Sequence, residues 1–275
     1  MIKLGVLLSS VRNGDYDAAF ARVKDMGFSC VQLSGLPSAM TETDIDNILR
    51  AREKYGLETP SFGCGMPSPA VWDFYEGNLT LGLVPAMYRE RRVRELLEAA
   101  PICDKLGIKN IIYHSGYIPE NPLSELYHEI IACLRHICNV YKKYGIYFCF
   151  ETGQETPVIL LRVIEDVGTG NLGINFDTAN LLLYGKANPV DALDMIGKYV
   201  RCMHAKDGEY PTNGRELGLE KPIGKGRANF PALIAKLKKI GYDGSMIIER
   251  EIPEGPDRDR DILESKIYLE QLISQ

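Results

Sequence analysis

The hydrophobic residues of this chain fall into short continuous runs that alternate with longer stretches of helical spacing. The short runs are rich in β-branched and aromatic residues, which is typical of parallel strands covered on both faces. We expect strands at residues 2–8, 30–33, 57–62, 110–114, 146–151, 172–177, 200–204 and 245–249.

The stretches between these runs have the i, i+3 and i+4 spacing of amphipathic helices. Each of five of them is followed at once by glycine, the residue favoured where a helix ends. The five helices are expected at residues 15–26, 43–55, 86–106, 124–144 and 230–240.

About eight strand–helix units in 275 residues predict a closed (β/α)8 TIM barrel, an α/β fold. An open doubly wound sheet is the structural alternative, but no glycine-rich nucleotide motif follows the first run. No linker or low-complexity segment interrupts the pattern. We therefore expect one domain over residues 1–275.

Two connections are longer than the others, residues 63–85 and 207–229. Long loops that follow barrel strands lie over the active-site face. Trp72 on the first loop is a candidate for binding substrate through its ring, although loop packing explains it equally well. Arg215 on the second loop is a candidate for binding a phosphate or carboxylate, as are Lys225 and Arg227, but a solvated loop also accounts for them.

Composition narrows the classes of partner and compartment. The formal net charge is −5, whereas nucleic-acid-binding proteins usually carry a basic surface. The seven cysteines have no zinc-module spacing and lie mostly in apolar runs, so buried free thiols in a reducing compartment are expected. The first apolar run is too short for a membrane span or secretory signal. We expect a cytoplasmic protein with no membrane or nucleic-acid partner; a homo-oligomer is open.

Candidate metal ligands end four successive strands. Each apolar run from the fifth to the eighth stops at a side chain that can coordinate a metal: Glu151, Asp177, His204 and Glu249. In a barrel these ends converge at one mouth. Crowded carboxylates at an apolar edge repel one another and are costly to bury, and a divalent cation removes both problems.

The ligand types suit Mn²⁺, Mg²⁺ or Co²⁺, and Zn²⁺ is possible. Each residue alone also has a structural explanation. A glutamate could pair with a lysine or arginine, Asp177 could cap a helix, and His204 could be a hydrogen-bonded core residue. The joint pattern on four strands favours the metal site.

These strand ends resemble the xylose isomerase-like barrel superfamily, the sugar phosphate isomerases and epimerases that include D-tagatose 3-epimerase, hydroxypyruvate isomerase and inosose dehydratase. The segments that carry the likeness are FETGQE at 150–155, NFDTAN at 175–180, HAKD at 204–207 and IERE at 248–251. The resemblance implies one bound ion, Mn²⁺ first, and catalytic roles for Glu151 and Glu249, which would exchange a proton beside a carbonyl through an enediolate.

One position departs from the family pattern. Epimerases of this group often have Asp-x-x-His after the sixth strand, whereas this chain has Asp177-Thr178-Ala179-Asn180. Asn180 can bind substrate but cannot carry a proton. His114, which ends the fourth run, is a candidate for that role or a structural histidine. Lys206 could reach a substrate oxygen or pair with Glu151 or Asp207.

The expected function is a divalent-metal-dependent isomerase or epimerase acting on a small sugar-like keto substrate. The first alternative is a lyase or dehydratase that acts on an inosose or 3-keto-glycoside at the same site. A DNA-repair nuclease resembling endonuclease IV is remote, because its trinuclear zinc cluster needs many histidines and this chain has four. A sugar-binding protein without catalysis is also open.

Overall fold

Eight parallel strands close into a barrel in the computed structural model, which describes residues 2–11 and 14–275. A separate antiparallel ribbon of two short strands, β8 and β9, lies beyond the seventh strand. Around the barrel, β1 to β7 follow in chain order and β10 joins β7 to β1. The strands are β1 (Lys3–Leu7), β2 (Cys30–Gly35), β3 (Phe62–Cys64), β4 (Asn110–Tyr113), β5 (Tyr147–Glu151), β6 (Leu172–Asp177), β7 (Val200–Ala205), β8 (Asp207–Gly208), β9 (Glu220–Lys221) and β10 (Ser245–Ile248).

Helices cover the outside of the barrel and bury apolar side chains against the strands. In α6, Ser124 accepts a hydrogen bond from the Tyr127 amide and so caps the helix, while Ile130 and Leu134 are fully buried. The helices are α1 (Leu8–Val11), α2 (Tyr16–Asp25), α3 (Glu42–Tyr55), α4 (Gly77–Thr80), α5 (Ala86–Leu106), α6 (Glu125–Lys142), α7 (Pro157–Val167), α8 (Asn180–Leu183), α9 (Pro189–Ile196), α10 (Phe230–Lys239) and α11 (Pro256–Ser274).

The predicted TIM barrel is confirmed, and the largest difference lies at the third strand. The apolar run at 57–62 predicts a strand there, but β3 begins only at Phe62. Glu58 forms a single isolated bridge with Cys30, and Pro60 has no amide hydrogen with which to continue the ladder. The strand therefore starts after the proline.

The seven cysteines are all free, and all except the half-buried Cys133 are buried, as the apolar runs around them predict. Among the helices of the described residues, none combines the length and apolar character that crossing a membrane requires.

The long loop at 63–85 is held by one buried guanidinium. Arg92 of α5 is fully buried and donates hydrogen bonds to four carbonyl oxygens of the loop. The acceptors are Gly82 O at 2.6 Å, Thr80 O at 2.6 Å, Pro69 O at 2.6 Å and Pro67 O at 3.3 Å. This anchor fixes the loop that carries Trp72 over the barrel mouth.

Candidate metal and substrate site

Four buried side chains meet at the carboxyl ends of neighbouring strands. Glu151, Asp177, His204 and Glu249, called the carboxylate–histidine cluster below, each offer one possible ligand atom, and these atoms all lie within 4.8 Å of one another. The Nδ1 atom of His204 lies 2.9 Å from Glu151 Oε1 and 3.3 Å from Glu249 Oε2. Its distance to Asp177 Oδ2 is 3.7 Å.

The strand register produces this meeting. Glu151 and Asp177 are the last residues of β5 and β6, while His204 lies one residue before the end of β7. Asp177 is the direct register partner of His204, and Glu249 follows the last residue of β10. Because the strands are parallel, their carboxyl ends share one edge of the barrel.

The cluster holds more negative than positive charge, and the pKa values reflect this. Burial raises the pKa of Asp177 to about 6 even though Lys206 and His204 act to lower it. Burial opposes protonation of His204, but Glu151 and Glu249 outweigh it and raise the His204 pKa well above its usual value. The three carboxylates therefore favour positive charge beside Nδ1, whether a proton on the imidazole or a bound cation.

A metal ion fits these residues. The buried Oδ2 atom of Asp177 has no hydrogen-bond partner among the described residues, as expected of an atom placed to ligate. On the other side of the imidazole, His204 Nε2 lies 3.1 Å from Gln32 Oε1. An amide oxygen only accepts hydrogen bonds, so Nε2 carries a hydrogen, which makes Nδ1 the nitrogen that can bind a metal in place of a proton.

Gln32 is a site residue that the sequence analysis missed. It interrupts the apolar run of β2 between Val31 and Leu33, and it is buried. The only signal in the sequence is this polar residue inside an apolar strand, which does not say what the side chain contacts.

The cluster opens into a cavity of about 570 Å³, which is within the usual range of small-molecule sites. The lining residues include Trp72, His114, Asn180 and Lys206, four of the five predicted substrate contacts. The fifth, Arg215, is exposed and is not among the lining residues. Met66, Tyr184, Leu217 and Glu251 also line the cavity and were not predicted.

His114 lies between the carboxylate–histidine cluster and Trp72. Its Nε2 atom lies 3.5 Å from Glu151 Oε2, and its Nδ1 atom lies 3.3 Å from Gln154 Oε1. The Trp72 ring packs edge-on against the imidazole with centroids 4.7 Å apart. His114 is therefore held beside the Glu151 oxygen that faces away from His204.

Lys206 is a buried cation with three oxygen partners. Its Nζ atom lies 3.4 Å from Glu249 Oε2 and 3.3 Å from Asn180 Oδ1, and it also contacts Glu251 Oε2. Burial opposes its charge, but Glu249 and the neighbouring carboxylates raise the pKa of Lys206 well above its usual value. Its partners are neither Glu151 nor Asp207, the two suggested by sequence proximity.

Asp207 instead organises the second long loop. One carboxylate oxygen accepts hydrogen bonds from the amides of Gly208 and Ala228, and the other accepts from Gly224 and Gly226. A Cβ atom at Gly226 would lie 2.2 Å from Asp207 Oδ1, so only glycine allows this approach. The loop at 222–228 is thereby fixed beside β7.

Comparison with known proteins agrees with this architecture. The family model described as xylose isomerase-like TIM barrel matches residues 20–272. A crystal structure of a xylose isomerase domain protein from Planctomyces limnophilus is 32% identical and superposes with a TM-score of 0.86, covering 91% of this chain and 90% of that one. A D-tagatose 3-epimerase-like protein is 24% identical with a TM-score of 0.76, covering 99% and 97%; this likeness shows the fold alone.

A relative from Methanocaldococcus jannaschii, described as an uncharacterized protein, is 33% identical over 189 residues. The match covers 65% of this chain and 61% of that relative's length.

Proposed function

Since the chain belongs to the xylose isomerase-like TIM barrel family, we propose that it is a divalent-metal-dependent isomerase or epimerase of a sugar-like keto substrate. The observation that carries the proposal is the buried carboxylate–histidine cluster at the floor of a 570 Å³ cavity. Three carboxylates and one imidazole suit Mn²⁺, Mg²⁺, Co²⁺ or Zn²⁺, and we put Mn²⁺ first because of the family resemblance.

The four cluster residues would hold the ion, which when bound supplies a Lewis acid that polarises the carbonyl and hydroxyl oxygens of the substrate. Glu151 and Glu249 are the proposed bases. One carboxylate breaks the C–H bond next to the carbonyl, and the electron pair moves into an enediolate. A proton is then returned to carbon from the same or the opposite side.

The remaining lining residues bind and orient the substrate in this proposal. His114 and Asn180 present nitrogen and oxygen atoms that can hydrogen-bond substrate hydroxyls, whereas Lys206 can reach a substrate oxygen only by exchanging one of its contacts with Asn180, Glu249 or Glu251. The Trp72 ring offers an apolar face to sugar C–H groups. His114, 3.5 Å from the Glu151 carboxylate, can also move a proton between that oxygen and a substrate hydroxyl.

Solvent deuterium uptake tests the reaction directly. Metal-loaded protein is incubated in D2O with free ketoses, inososes and 3-keto-glycosides, and carbon-bound deuterium is measured by NMR. We expect exchange with at least one substrate, and loss of about 10²-fold or more in rate in Glu151→Gln and Glu249→Gln. Exchange that persists undiminished in both variants would remove these residues from the mechanism.

Product analysis separates the lyase alternative, because elimination yields a new conjugated carbonyl with ultraviolet absorbance, whereas epimerisation conserves composition. Metal content separates the nuclease alternative. His128 and His136 lie exposed on α6, away from the cluster, so we expect one ion per chain rather than three.

A further inference from the structure

We infer that the cavity takes an uncharged, polyhydroxylated substrate and discriminates against phosphorylated or carboxylated sugars. The inference deepens the proposed function and rests on it. It is carried by the charges of the lining residues and by the hydrogen-bond donors that the protein already uses.

Lys206 is the only lysine or arginine that lines the cavity among the described residues. An ammonium group has three N–H donors. Glu249, Glu251 and Asn180 provide three oxygen partners for this one nitrogen. Lys206 therefore has no donor left for a phosphate unless one of these contacts breaks.

Other groups that commonly bind anions, such as helix N-terminal amides and guanidinium groups, already have partners within the protein. The amides of Ala179 and Asn180, at the start of α8, both donate to Asp177 Oδ1, at 2.8 and 2.7 Å. The Arg250 guanidinium binds Glu220 at 2.7 Å and Asp261 at 3.0 Å. Arg215, the candidate for an anion contact on the second loop, is exposed to solvent outside the cavity.

The side chains in and directly behind the cavity lining also carry more negative than positive charge. Glu151, Glu249 and Glu251 line the cavity and Asp177 lies behind them. These four carboxylates outnumber the charges of Lys206 and a divalent ion taken together, four negative against three positive. A phosphate or carboxylate group on a substrate that enters this cavity is therefore repelled.

The other lining residues suit the uncharged hydroxyl groups and C–H faces of a sugar. His114 and Asn180 offer hydrogen-bonding side-chain atoms, while Met66, Trp72 and Leu217 form the apolar part of the lining. Such a surface binds the two faces of a polyol or ketose without a counter-charge.

Fluorescence of the chain's single tryptophan provides a readout of binding that is independent of turnover. Because that residue, Trp72, lines the cavity, a ligand that enters it changes the emission. Mg²⁺-loaded protein is titrated with D-fructose, D-tagatose and an inosose, and with the 6-phosphates of the two ketoses. We expect at least one neutral compound to bind and each phosphate to bind about tenfold or more weakly than its parent sugar.

Glu251→Gln tests the cause. Glu251 is exposed on its outer side and contacts Lys206, so the substitution removes one negative charge and leaves the Lys206 ammonium a neutral amide oxygen, a weaker partner, in place of the carboxylate. The ratio of phosphate to sugar affinity is expected to rise several-fold in this variant. Glu264→Gln, which removes the same charge from an exposed position on α11, is the matched control and should leave the ratio unchanged.

Phosphate affinity equal to or above that of the parent sugar would overturn the inference, as would a panel in which no neutral compound alters Trp72 emission. Deuterium exchange distinguishes this from failure of the proposed function. Exchange seen only with phosphorylated substrates contradicts the inference but supports the isomerase. Sugar binding without exchange supports the inference on substrate class but contradicts the isomerase.

Discussion

Gln32 Oε1 lies 3.1 Å from His204 Nε2 and also accepts a hydrogen bond from Ser61 Oγ at 2.8 Å. All three side chains are buried. The amide oxygen, fixed by Ser61, holds the imidazole with its other nitrogen toward the three carboxylates. Gln32 is thus the residue that sets both the tautomer and the ring orientation of His204.

Replacement of Gln32 by Leu should weaken metal binding. Loss of the acceptor leaves the His204 tautomer free to change, and such outer partners typically contribute about 10–100-fold in metal affinity. Calorimetric titration of metal-free protein with Mn²⁺ measures this. Ser61→Ala, which removes only the support of Gln32, should have a smaller effect in the same direction. Equal Mn²⁺ affinity in wild type and Gln32→Leu would exclude the proposed role.

His114→Asn should slow proton exchange without altering metal affinity. The imidazole faces Glu151 Oε2 rather than the centre of the cluster, so its loss removes a proton-transfer group while the four ligand side chains remain. We expect a decrease of about 10²-fold in the deuterium-exchange rate and an unchanged Mn²⁺ titration. A parallel loss of metal affinity would show instead that His114 supports the metal site.

Arg92→Met should release the loop that carries Trp72. Four carbonyl oxygens lose their donors, and leaving buried acceptors unsatisfied costs about 1–3 kcal/mol for each group that stays dry. The expected result is stronger acrylamide quenching of Trp72 and a KM raised more than kcat is lowered. Arg92→Lys, which keeps the charge with fewer donors, should fall between wild type and Arg92→Met. Quenching that is identical in all three proteins would disprove the anchoring role.

Glu155→Gln should stabilise the protein above neutral pH. Burial raises the pKa of Glu155 to about 8, and Lys186 only partly offsets it. The unfolded chain loses this proton near its ordinary pKa of about 4.3 while the folded chain keeps it, so stability falls as pH rises from there to about 8.

The variant lacks this loss, and a gain on the order of 3 kcal/mol is expected at about pH 9, with little difference near pH 5. Urea unfolding of metal-loaded protein at the two pH values checks it, with Glu264→Gln as the control for an exposed glutamate. Parallel stability curves for wild type and Glu155→Gln would contradict the prediction.

The sequence was sufficient to predict the barrel and the cluster for the same reason. Continuous apolar runs mark parallel strands, and each of the last four ends on a side chain that is expensive to leave at an apolar edge. Because the carboxyl ends of barrel strands converge, position along the chain translates directly into proximity in space. Glu151 and His204 are far apart in sequence yet lie 2.9 Å from each other.

Contacts that depend on the path of a loop could not be predicted from the strand pattern. Lys206 could be placed near the cavity mouth, but its pairing with Glu251 requires the path of the chain after β10. Arg215 illustrates the same limit, since membership of a long loop does not say whether a side chain turns toward the cavity. Pro60 was the missed local signal, because its lack of an amide hydrogen explains the late start of β3.

The cluster and part of the cavity wall lie on different parts of the chain, and this has a consequence for protein engineering. The cluster residues stand on or immediately after barrel strands, whereas Trp72 and Leu217 belong to the two long connections. Replacing either connection with that of a relative would therefore change the walls of the cavity while the carboxylate–histidine cluster stays in place. Arg92 limits such a replacement of the first connection. The new loop must either place its carbonyl oxygens where Arg92 can donate hydrogen bonds to them, as Gly82 O and Thr80 O do here, or be held by other contacts.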